Sequence, residues 1–102
     1  MRKVDLSITF VYVIDESLGM SKGKIAAQVS HVAMELADEH KVLGRAIILK
    51  ADHNTIMKMF KYPNVKYVLD AGLTEVPFNT LTCIGFKQTD FMIRMTKDLK
   101  LV

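Results

Sequence analysis

The stretch ITFVYVI, residues 8–14, decides the fold class of this chain. A strand with one wet face alternates apolar and polar residues. A β-branched and aromatic run with hardly a polar member is instead the pattern of a strand covered on both faces. Such a strand belongs at the centre of an α/β sheet with helices packed on each side.

Downstream, DESLGMSKGK (residues 15–24) is polar and glycine-bearing and predicts a loop, with Ser21 placed as the N-cap of a helix starting near Lys22 or Gly23. Along that helix Ile25, Val29, Val32, Ala33 and Leu36 recur at three- and four-residue steps, so one face is apolar. Lys24, Gln28, His31 and Glu35 form a separate polar row at the same spacing. The helix is expected to end near His40, where His40 and Lys41 suit its negative end.

RAIILKA (residues 45–51) predicts a second buried strand. Asp52 then caps a short helix through Phe60, with Ile56, Met59 and Phe60 inward. A third strand is expected over residues 65–69, running into Asp70 and Gly72. A loop with Pro77 follows, then a fourth strand, LTCIGF. The last helix, from about Thr89, is expected to carry Phe91, Met92, Met95 and Leu99 inward. The order βαβαββα predicts an α/β fold, one domain over residues 1–102 with helices on both faces of a mixed sheet. The short link between the third and fourth strands allows an antiparallel pair.

With half of its 102 residues hydrophobic and a quarter charged, the chain has the composition of a globular protein and not of a disordered one. Its net charge of +3 suits an anionic partner without requiring one. A single cysteine, Cys83, excludes an intramolecular disulfide and a cysteine-rich zinc site, and fits a reducing, cytoplasmic setting. No apolar run approaches the roughly 18–20 residues of a membrane span. The basic and apolar start, interrupted by Asp5, reads as a first strand and not as a leader.

In open α/β sheets ligands gather beyond the carboxyl ends of the parallel strands and at helix N-termini. Two loops meet that description, residues 15–24 and residues 70–80. Lys22 and Lys24 at a helix start oppose the helix dipole, a placement that a bound anion would relieve, although surface lysines are by default solvated and the Walker glycine spacing is absent. Asp70 suits a turn cap as well as chemistry. A lone helix histidine such as His31 is more often structural than functional. His40 and His53 look like helix-end residues, Cys83 like a buried inert thiol, and no His, Asp and Glu spacing suggests a metal.

KGKIAAQVSH, DAGLT and the terminal LKLV together resemble the type 2 peptidyl-tRNA hydrolases, the archaeal and eukaryotic kind, over nearly the whole chain from Ile8. Ser21 stands where the family's helix motif usually has its first glycine. The resemblance implies a three-layer α/β/α domain with a four-stranded mixed sheet. It also implies hydrolysis of the ester joining a peptide to the 3′ end of tRNA, with peptidyl-tRNA as the partner and neither metal nor other cofactor. Family positions treated as catalytic fall on Lys24, Asp70, Thr74 and Thr80. Lys22, Gln28 and His31 match further motif positions expected to bind substrate or tRNA.

On this reading Asp70 orients or deprotonates water, Lys24 stabilises developing negative charge, and the threonine hydroxyls position water and substrate. The chain departs from the family pattern at Leu73, usually arginine, at Glu75, commonly glutamine, and at Asp15 and Glu16, usually a basic residue and a threonine. All four changes make the expected tRNA side less positive. The loop between Thr74 and Thr80 is about two residues shorter than usual, which makes Thr82 the neighbouring candidate for Thr80. The competing function is a divergent tRNA-binding or protein-interaction module without turnover. A homodimer is left open.

Overall fold

A computed structural model describes residues 3–102. The elements are β1 (Asp5–Asp15), a 3-10 turn (Glu16–Leu18), α1 (Lys22–His40), β2 (Gly44–Ala51), α2 (His53–Met59), β3 (Lys66–Leu69), β4 (Leu81–Lys87), α3 (Asp90–Thr96) and β5 (Lys100–Leu101). Hydrogen bonding arranges the strands as β3-β4-β1-β2-β5. β1 pairs parallel with β2 and antiparallel with β4, and β3 pairs antiparallel with β4. The antiparallel link expected between the third and fourth strands is therefore present.

Among the described residues the sheet has five strands and not the expected four. LKLV is too short to register as a strand by periodicity, yet Lys100 and Leu101 pair antiparallel with Lys50 and Leu49, and the Val102 N–H donates to the Ile48 carbonyl at 3.1 Å. The physical reason is the bare edge of β2, whose unpaired backbone groups the chain end satisfies.

β1 lies at the centre, as its sequence predicts, and its period-2 alternation divides the core. Phe10, Tyr12 and Ile14 pack with Val32 and Leu36 of α1 on one face. Val11 and Val13 pack with Ile56 and Met59 of α2 and Met92 of α3 on the other. α1 approaches β4 closely because Gly85 has no side chain. A Cβ there would lie 2.6 Å from Val32 Cγ1. Phe91 is a correction: it is 44% exposed, its ring edge-on to Tyr62 with centroids 5.3 Å apart, because α3 turns Met92 and not Phe91 to the sheet.

Helix ends follow local chemistry. Ser21, Asp52 and Thr89 each accept a backbone N–H from the first turn of the helix they precede. Lys41 closes α1 in the left-handed region at φ 57°. β1, β2 and β3 run in one direction, so their carboxyl ends, together with the start of β4, share one edge of the sheet. The two loops singled out in the sequence meet there.

Candidate active site

Asp70 follows the last residue of β3 and is 6% exposed. Its Oδ1 accepts from the Lys24 ammonium and, at 3.2 Å, from Gln28 Nε2; its Oδ2 accepts the Gly72 N–H at 2.7 Å. Lys24 and Gln28 stand one helical turn apart on α1 and so reach the same point. Gln28 Nε2 also donates to Thr82 Oγ1 at 2.8 Å, and both Gln28 and Thr82 are buried. A four-membered network thus joins α1, β4 and the end of β3.

The Lys24 hydrogen bond, and after it the Gly72 N–H, hold the Asp70 carboxyl below the usual carboxylate range. A carboxylate so stabilised is a weak base. It is nevertheless not saturated: of its roughly four acceptor sites, three are filled, and the remaining one lies on Oδ2.

The loop after β3 is folded tightly back on itself. Gly72 adopts φ +77°, and a Cβ there would lie 2.6 Å from the Phe78 backbone nitrogen. The Asp70 N–H donates to the Thr80 carbonyl at 2.9 Å, and the Asn79 N–H donates to the Asp70 carbonyl at 2.7 Å. Val76 is buried in the α1-side core beside Met20. Glu75 ties the loop to α1: one carboxylate oxygen accepts the Ser21 N–H at 2.8 Å and the other accepts the Ser21 hydroxyl. These bonds hold the Glu75 carboxyl below its ordinary range.

Between α1 and this loop lies a cavity of about 620 Å³. Five of the residues singled out in the sequence line it: Lys24, Gln28, His31, Asp70 and Thr74. The whole polar row of α1, Glu35 included, faces this space. Lys22 is exposed at the first position of α1, outside the lining. Thr80 does not join the group. It lies on the wall of a second groove, where its hydroxyl donates to the Pro77 carbonyl at 2.8 Å. The threonine that reaches the network is Thr82, two residues on, because β4 begins at Leu81 and its second residue points toward α1.

Two of the departures from the family pattern also take unexpected places. Asp15 is fully buried as the last residue of β1, accepting from Ser17 N–H and Oγ and, at 3.0 Å, from His53 Nδ1, so its charge is not offered to a partner. His53, without a visible partner in the sequence, is thereby partnered. Glu75 is engaged by Ser21, while Leu73, 87% exposed, stands at the cavity rim. Cys83 is buried, and burial pushes its thiol up to about 12.

Residues 8–102 match the family model described as peptidyl-tRNA hydrolase PTH2. The chain belongs to that family. Proteins named peptidyl-tRNA hydrolase are similar over nearly their full lengths. The one from Staphylothermus marinus is 32% identical, with 90% of this chain and 93% of that protein covered. The one from Thermococcus onnurineus is 31% identical, with 90% and 95% covered. The one from Methanothermobacter thermautotrophicus is 31% identical, with 90% and 97% covered. As a member of this hydrolase family, the chain presents the Lys24–Asp70 pair in the cavity between α1 and the loop after β3.

Among the described residues, no cluster of three or more His, Cys, Asp and Glu side chains is arranged to hold a metal ion. No helix among them is long and apolar enough to cross a membrane.

Proposed function

We propose that this chain hydrolyses the ester between a peptidyl group and the 3′ end of tRNA, with the chemistry in the cavity between α1 and the loop after β3. The observation that carries the reading is the buried Asp70 carboxylate bonded to the Lys24 ammonium in a cavity open to solvent. Ester hydrolysis requires an oriented water, stabilisation of the oxyanion and a proton for the departing ribose oxygen.

Lys24 Nζ carries three N–H donors and spends one on Asp70, which leaves two for the oxyanion or the leaving oxygen. Asp70 is a poor base, so its role is to hold Lys24 and to orient a water through the remaining acceptor site on Oδ2. Water attacks the ester carbonyl carbon, the bond to the ribose 3′ oxygen breaks, and that oxygen departs with a proton that originates in the water. Gln28 and Thr82 keep Asp70 and Lys24 in register. Thr74 and His31, both exposed on the cavity wall, position the substrate, and Lys22 meets tRNA phosphate. A module that binds tRNA without turnover draws support from no feature of the site, which keeps Lys24, Asp70 and Thr74 in one cavity.

The test is turnover of N-acetyl-aminoacyl-tRNA at substoichiometric protein. Lys24→Met and Asp70→Asn are expected to lower kcat/KM by about 10²–10³-fold, the cost of losing a donor to a developing oxyanion. Circular dichroism checks that both variants fold. Wild-type kcat/KM in both would remove the assignment.

A further inference from the structure

A second groove, of about 410 Å³, opens at the same sheet edge on the α2 side of the loop. Its wall includes His53, Met57, Phe60, Leu69, Asn79 and Thr80, and none of its lining residues is acidic. Leu69 bounds both this groove and the Lys24–Asp70 cavity, so the two adjoin at the residue that precedes Asp70. A substrate with its reacting bond at Asp70 would have the α1 cavity on one side of Leu69 and this groove on the other.

The groove has a built polar anchor. The His53 ring is fixed by the buried Asp15 carboxylate, itself held by the Ser17 N–H and hydroxyl. Because Asp15 Oδ2 accepts from Nδ1, the opposite nitrogen, Nε2, is left on the exposed edge of the ring. A carboxylate behind an imidazole sets its tautomer and the direction in which its other nitrogen faces a ligand. Asn79 adds an amide, and Phe60, Met57 and Leu69 supply an aromatic and apolar surface.

From this we propose that the groove is a subsite for a single nucleotide, the unpaired 3′-terminal nucleotide that carries the ester, and it rests on the peptidyl-tRNA reading above. A nucleotide uses both halves of the lining: its base lies on the apolar and aromatic surface, and its phosphate or ribose hydroxyls meet His53 and Asn79. An apolar peptide side chain would use only the first half. The other cavity suits the peptidyl group better, since its lining includes Glu35, which repels phosphate, and the exposed apolar side chains Met34 and Leu73.

The first test uses adenosine 5′-monophosphate as the probe, with NMR of the full chain. Shifts centred on His53, Met57, Leu69 and Asn79 are expected at millimolar concentration. Shifts centred on Met34 and Leu73, or none, overturn the proposal. This readout needs no turnover, so it stands or falls separately from the hydrolase assignment.

The second test is kinetic, on N-acetyl-aminoacyl-tRNA. His53→Gln is expected to raise KM about tenfold with kcat held, the cost of one charge-assisted hydrogen bond. Met57→Lys and Met57→Glu, at a half-exposed helix position, are expected to move KM in opposite directions, down for lysine and up for glutamate. Equal increases for both mean an apolar occupant and overturn the proposal. The same charge pair at Leu6, exposed near the start of β1, measures the general field of the protein; changes there as large as those at Met57 also overturn it.

Discussion

Replacing Thr82 by valine isolates the bond that ties the Asp70 carboxylate, through Gln28, to β4. Valine matches threonine in shape, so no cavity forms in a position with no exposed surface. What is lost is the acceptor for Gln28 Nε2 at 2.8 Å, in a place that water does not reach. One amide N–H is left unsatisfied while the other keeps its longer bond to Asp70 at 3.2 Å. A buried orphan donor of this kind costs about 1–2 kcal/mol. For a chain of this size that corresponds to a fall in Tm of roughly 5–15 °C.

Gln28 then loses its fixed orientation, and Asp70 keeps only Lys24 and the Gly72 N–H as firm partners. The expected kinetic signature is a fall in kcat of about three- to tenfold with little change in KM, since Thr82 is buried and does not meet substrate. Thr82→Ser keeps the oxygen and loses one methyl group, so its kcat returns near wild type at a stability cost of about 1 kcal/mol. Thr80→Val removes only a bond to the Pro77 carbonyl and leaves kcat above that of Thr82→Val. Thermal melts and steady-state hydrolysis of N-acetyl-aminoacyl-tRNA measure all three. A Thr82→Val protein with wild-type Tm and kcat beside an impaired Thr80→Val would refute the reasoning and return the role to Thr80.

Gly72→Ala forces a side chain into the left-handed region and onto the Phe78 backbone, so it should destabilise the loop by about 1–3 kcal/mol and reduce turnover; unchanged urea midpoint and kcat would contradict the geometry. Acid sensitivity follows from Asp70 and Glu75, whose folded carboxyls lie below their unfolded values through Lys24 and Ser21, respectively. A depressed carboxylate contributes stability that is complete above the unfolded value, about 4, and is lost as pH falls through the folded one. Glu75→Gln should therefore flatten the loss of urea midpoint below about pH 4, and a curve parallel to wild type would refute the Ser21 tie.

Much of the fold was legible because its signals are local. The run at residues 8–14 announces a strand buried on two faces, and the structure puts it at the centre of the sheet with helices on both sides. Ser21, Asp52 and Thr89 announce helix starts through short side chains that bond their own next turn. The polar row Lys24, Gln28, His31 and Glu35 follows from the 3.6-residue period, and all four reach one cavity. β5 was not legible, since two residues carry no period and pair only because β2 presents an open edge.

The site divides in the same way. By itself the sequence determined which side chains share a helix face, which loop follows which strand and that an aspartate directly follows β3, because each depends on neighbours a few residues apart. Tertiary structure alone decided the pairings: Lys24 with Asp70, Ser21 with Glu75, Gln28 with Thr82 and not Thr80, and Asp15 with His53. These partners lie 38 to 54 residues apart, and no local pattern encodes which of them meet. They meet because parallel strands bring their carboxyl ends to one edge and α1 is drawn across that edge by its apolar face.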